Sequence, residues 1–276
     1  MNKLGIKSCT LERFSTLGIR LPRLSLAQQL ANQVVNATIL SSPMMAVLLT
    51  LQPIMASDLP QSSATRVDFI GSGDFVEAAE KLGTEAWTMR QAWLAKPDEN
   101  LRPATVRFGW EPKAFWVLAE LPDDFITSRS SNHDQDMWTL GDVFEIFIAR
   151  KDLPFYLELH VTPHNHRLHL CWTPDGLEKI RSQKAKFDQF RRPPSAFDSW
   201  VLQPAGQNKW QVLARIPSSI LPNGENFAEG HHLELSFSRY DAGLKGTPDI
   251  LSSTSPHQKL NYHRRHEWRE VILKGD

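Results

Sequence analysis

Cysteine is nearly absent from this chain: among 276 residues only Cys9 and Cys171 carry a thiol. A disulfide-stapled scaffold is thereby excluded. Cys171, set in Leu168-His169-Leu170-Cys171-Trp172, reads as a small apolar packing residue. Excess charge of either sign is also missing, with Lys+Arg 31 against Asp+Glu 31. No net field recruits a phosphate backbone or an anionic lipid surface, so nucleic acid is not an expected partner. Apolar runs of bilayer length are lacking too. The longest candidate, around Met44 to Leu51, is short and bracketed by Pro43 and Pro53, which disfavours a retained membrane span. The chain has no G-x-S-x-G elbow, no P-loop, no dinucleotide fingerprint and no cysteine in a nucleophilic constellation.

What is present points to a folded β protein. Hydrophobic residues make up 41% and charged residues 22%, enough for a core and too apolar for wholesale disorder. Tryptophan is over-used, at Trp 9 against Tyr 3. Most indoles fill cores, but a flat exposed indole also stacks on apolar C–H faces. Residues 1 to 57 have the order of a targeting segment: Lys3, Lys7, Arg13, Arg20 and Arg23, then the apolar run, then Ile54-Met55-Ala56 before Ser57-Asp58. This predicts an exported chain, periplasmic or extracellular, whose folded domain occupies 58 to 276. A disordered cytosolic head is the alternative.

Beyond Pro103, short runs rich in Val, Ile, Phe, Leu and Trp alternate with Pro, Asn, Asp and Gly clusters. This is the pattern of an all-β, antiparallel β-sandwich of jelly-roll or immunoglobulin-like type rather than of βαβ units. Expected strands cover 104 to 108, 114 to 121, 142 to 149, 155 to 161, 167 to 172, 200 to 203, 210 to 216, 232 to 240 and 267 to 273. Residues 74 to 96 read either as a short helix or as irregular chain, and 177 to 192 as a basic surface helix or loop. Strand phase places Glu145 with Val143 and Phe147, opposite Phe144, Ile146 and Ile148; it places Arg239 with Leu233, Leu235 and Phe237. Two inward charges suggest a buried Glu145–Arg239 pair, structural or part of a site.

The segment Asp136-Met137-Trp138-Thr139-Leu140-Gly141-Asp142-Val143-Phe144-Glu145-Ile146-Phe147-Ile148 resembles the W-x-x-G-D-x-x-E-x-F-I core of the family 9 carbohydrate-binding modules and their DOMON-like relatives. Val106 to Trp110 with Phe115 to Ala119, Tyr156 to Pro163, Trp210 to Pro217, Ser238 to Asp241 and Leu260 to His263 follow in the family's order. The resemblance covers about residues 64 to 273. It implies a non-catalytic module that grips saccharide with aromatic platforms and polar side chains, often beside calcium, and that supports polysaccharide breakdown by separate glycoside hydrolases. By motif position, Trp110, Trp138, Asp142, Glu145, Arg239 and His263 become carbohydrate-site candidates.

Two other readings stay open. DOMON-like relatives include haem carriers, for which Met137 and His263 are candidate axial ligands, and a glycoside hydrolase would need a carboxylate pair. Tyr156, Glu158 and His160 form a polar strand face that lines a groove or meets solvent. His160, His164, His166 and His169 offer imidazole for a transition metal but lack a recognised ligand spacing. The loop acids Asp123, Asp124, Asp134 and Asp136 are alternatively solvated or oxygen ligands for calcium.

Overall fold

The computed structural model describes residues 62–244 and 247–275. The expected targeting segment, 1 to 57, lies outside the described residues. The elements in chain order are β1 (Ser62–Thr65), α1 (Phe75–Lys81), β2 (Trp87–Thr88), β3 (Thr105–Glu111), β4 (Ala114–Pro122), β5 (Val143–Arg150), β6 (Tyr156–Val161), β7 (Arg167–Trp172), α2 (Gly176–Arg181), β8 (Arg191–Arg192), β9 (Asp198–Leu202), β10 (Lys209–Pro217), β11 (His232–Asp241), β12 (Ile250–Ser253) and β13 (Arg269–Lys274).

Two sheets result. The larger runs β1-β13-β11-β5-β6-β7-β8 with β12 paired to β11, and the smaller runs β2-β3-β4-β10-β9. Every pairing is antiparallel except β1 with β13. The nine strands expected from alternation all form, and the structure adds the short β1, β2, β8 and β12, which carry too few residues to show a period. The undecided stretch from 74 to 96 contains one short helix. Asp74 caps it by accepting the Glu77 backbone N–H at 2.9 Å, and Lys81 pairs with Glu77 at 2.8 Å.

Period-2 alternation explains the layers. Phe144, Ile146 and Ile148 of β5, Leu157, Leu159 and Val161 of β6, and Leu233, Leu235 and Phe237 of β11 turn toward the smaller sheet. They meet Val106, Trp110, Phe115, Val117, Trp210, Val212 and Ile216 in the main core. Phe237 stacks on Phe108 across the sheets at 5.8 Å. The other faces are not left to water. Trp116, Leu118 and Leu213 of the smaller sheet pack against α1 through Ala78 and Leu82. The outer face of the larger sheet, with Val143, Phe147, Tyr156, Leu168, Leu170 and Trp172, is covered by two chain segments. One runs through α2 to the 3-10 turn Phe187–Phe190, the stretch read as a surface helix or loop; the other carries Tyr262 and Trp268. Covering both faces buries β5 at every position, which is why its sequence is almost wholly apolar.

Candidate functional site

The covered outer face of the larger sheet holds an unusual set of polar side chains. Glu145 on β5 is Cα-paired with His160 on β6, and Glu158, two residues before His160, shares that face. His160 Nε2 lies 2.7 Å from Glu158 Oε1 and 3.3 Å from Glu145 Oε1. The Trp172 indole donates to Glu158 Oε2 at 2.6 Å, and His263 Nδ1 is 3.8 Å from the same oxygen. Tyr156 Oη and His263 Nδ1 are hydrogen-bonded at 2.9 Å. Glu145, Glu158 and His160 are all buried.

Burial pushes the Glu145 carboxyl up to about 8, against the opposing pull of His160. Burial would raise Glu158 as well, but His263, His160 and the Trp172 N–H favour its anion and hold it below the usual carboxylate range. Burial disfavours the His160 cation, yet the two carboxylates raise its pKa overall. Burial and mutual contact thus pull the proton affinities of these groups apart, and the cluster offers both hydrogen-bond donors and acceptors.

Aromatic rings surround it. Trp138, half-buried in a 3-10 turn just before β5, meets the His160 ring edge-on at 5.6 Å and the Phe187 ring at 5.6 Å. Trp172 stacks on Phe190 at 4.7 Å and meets His263 at 5.7 Å. Trp138 and His263 keep partial exposure at the rim, while the carboxylates lie beneath. Met137 is wholly buried in the same cluster.

The structure corrects the expected Glu145–Arg239 pair. Glu145 is Cα-paired with Ser238, whereas Arg239 is paired with Phe144, so the two charges face opposite sides of the sheet. Arg239 instead lies on the core side, where its Nη2 bridges Asp123 at 2.9 Å and Asp241 at 3.1 Å and its Nη1 donates to the Pro122 carbonyl at 2.6 Å. Asp142 joins this second cluster, its ligand-type oxygens lying within 4.8 Å of those of Asp123 and Asp241. Its carboxylate accepts the backbone N–H groups of Thr127 and Ala242. Burial first, and then the Asp123 charge, push Asp142 up to about 8.

The six candidates therefore separate. Trp138, Glu145 and His263 converge on the outer face; Asp142 and Arg239 belong to the buried acid–guanidinium cluster at the core side. Trp110 is not brought to either. It lies in the main core, 3% exposed, and its indole N–H is shared by the Ala64 and Lys274 carbonyls. The four histidines also part. His160 and His169 occupy opposite faces because His169 is paired with Leu159. His164 and His166 sit on the β6–β7 hairpin, where His133 from another loop meets His166 at 5.6 Å.

Four contributors were not selected from sequence. Glu158 and His160 appear there only as part of a polar strand face, and the same phase argument that singles out Glu145 would have included them once β5 and β6 were paired. Trp172 and Phe187 carried no signal beyond aromaticity, since their roles depend on how the covering segment folds back.

Comparison with known proteins places this fold. No protein-family model and no curated protein matches the chain by sequence. Among solved structures, a candidate carbohydrate-binding protein from Bacteroides uniformis ATCC 8492 aligns with TM-score 0.60 and 13% identity, over 77% of this chain and 98% of that one. A family 9 carbohydrate-binding module from Caldicellulosiruptor kristjanssonii in complex with glucose aligns with TM-score 0.55 and 16% identity, over 79% and 97% of the two chains. The cellotriose complex of such a module from that organism gives TM-score 0.51 and 18% identity, over 79% and 95%. The chain thus has the β-sandwich fold of the family 9 carbohydrate-binding modules.

Proposed function

We propose that this protein binds saccharide on the outer face of its larger sheet. The observation that carries the reading is the convergence there of the Trp138 and Trp172 indoles with Glu145, Glu158, His160 and His263. Indoles stack on the apolar C–H faces of a sugar ring, and carboxylates and imidazoles exchange hydrogen bonds with its hydroxyls. Trp138 and His263 keep partial exposure, so a ligand reaching this face meets the Trp138 ring before the buried polar groups. The modules of like fold that were solved with glucose and with cellotriose support saccharide as the ligand class.

Calorimetric titration of the full chain with glucose and cellotriose tests the reading. Trp138→Ala is expected to abolish measurable heat while leaving a cooperative melt, because one stacked ring contributes on the order of 1 kcal/mol or more beyond its buried area. Wild-type affinity in that variant would overturn the assignment.

Calcium is not required in this reading, although three carboxylates converge. The Arg239 guanidinium is already the cation between Asp123 and Asp241, and both Asp142 oxygens accept backbone N–H groups. Melting curves in calcium and in a calcium-selective chelator are expected to superimpose; a Tm that rises with calcium would assign the cluster to the ion instead. Among the described residues no helix is long and apolar enough to cross a membrane. We further propose export through residues 1 to 57 and a supporting role beside separate glycoside hydrolases. The basic-then-apolar order of the segment supports export, and N-terminal sequencing of exported material beginning near Ser57 checks it.

A further inference from the structure

We propose that Glu145, Glu158 and His160 form a binding site for one divalent first-row transition metal ion. One ligand atom from each lies within 4.8 Å of the others. Donor atoms in a tetrahedral zinc site stand about 3.3 Å apart, given metal–ligand distances of about 2.0–2.1 Å. His160 Nε2 is already 3.3 Å from Glu145 Oε1, and its 2.7 Å contact with Glu158 Oε1 has to widen by only about 0.6 Å when an ion replaces the bridging proton.

Charge and surroundings favour the same occupant. Among the described residues, the side chains paired with these two carboxylates are the imidazoles of His160 and His263, with no Lys or Arg. A divalent ion that displaces the protons shared in this cluster supplies fixed positive charge to both carboxyl groups. The mixed nitrogen and oxygen donor set suits zinc, iron or manganese better than calcium, which takes oxygen alone. Outer partners are also in place. The Trp172 N–H holds Glu158 Oε2 at 2.6 Å, and the aromatic cover of Trp138, Phe187 and Phe190 limits water around the donors.

The inference does not rest on the saccharide reading, since a metal titration contains no sugar and either can fail alone. The full chain, stripped with a chelator, is titrated with Zn2+ by calorimetry and with Co2+ by visible absorption. One equivalent of Zn2+ is expected to bind, and near-isosteric Glu145→Gln to weaken it by about tenfold or more. The double variant His164→Ala/His166→Ala, which removes the hairpin imidazoles, is expected to bind as wild type. Absence of stoichiometric Zn2+ binding, or unchanged affinity in folded Glu145→Gln, overturns the proposal. Should that variant fail to fold, X-ray absorption of the zinc-loaded wild type decides: one imidazole with oxygen donors supports the site, and two or more imidazoles overturn it.

Discussion

Arg239 shows how much a single side chain's meaning depends on its neighbours. The guanidinium is almost completely buried, and two carboxylates and a carbonyl hold its two terminal nitrogens. Arg239→Ala is expected to cost roughly 3 to 5 kcal/mol, because it strands Asp123 beside Asp142 and Asp241 without a cation. Chemical denaturation measures this, and a loss below about 1 kcal/mol would indicate a solvated pair instead. Trp110 makes the complementary case. As a core indole its replacement by Ala is expected to destabilise by about 3 to 5 kcal/mol while leaving saccharide affinity per folded molecule unchanged. A stable variant that has lost binding would return Trp110 to the site.

At the scale of elements, the turn leading into β5 positions both clusters. Gly141 has φ +141, and a Cβ placed there would come 2.4 Å from the Thr127 carbonyl oxygen. That approach lets the Thr127 N–H reach Asp142 and the Asp142 N–H reach the Thr127 carbonyl at 2.7 Å. Gly141→Ala is therefore expected to lower stability by about 1 to 3 kcal/mol, read as a fall in Tm; an unchanged Tm would show that the loop relaxes freely. The neighbouring hairpin bears out the tolerance of Asn for left-handed backbone, since Asn165 has φ 58. Here the alternation of β5, β6 and β11 was fully legible in sequence, since each side chain's face follows from its parity. Which face of each strand turns toward the core, and in what register the strands pair, was not, and that is why Glu145 was matched to Arg239, on the neighbouring strand but the opposite face, rather than to His160.

For the whole molecule, buried ionisable groups set the pH range of stability. Burial lowers His169 and His257 to about 4 from the ordinary 6.5, so their neutral forms favour the fold. That contribution is complete above pH 6.5 and is lost as pH falls through about 4. Asp142 acts oppositely. Its pKa is raised by burial, then by Asp123, from 3.8 to about 8, so its contribution is complete below the ordinary value and lost as pH rises through about 8. Stability is expected to peak between pH 5 and 7 and to decline toward both pH 4 and pH 9. Urea denaturation across that range checks it, and a curve still rising from pH 7 to 9 would contradict the Asp142 assignment.

By itself the sequence determined the β class, the positions of the nine longer strands and the face each strand residue takes, because these depend on local propensity and a period of two. It also carried the motif order from Trp138 to Glu145 that resembles the carbohydrate-binding modules. Only the tertiary structure decided which charges meet. Strand order and register brought Glu145 to Glu158 and His160, and sent Arg239 to Asp123 and Asp241 on the opposite face. The covering segment from α2 to Phe190 then turned a polar strand face into a buried cluster. Its closure depends on long-range packing of Phe187 and Phe190 against Trp138 and Trp172, contacts that no local pattern of residues encodes.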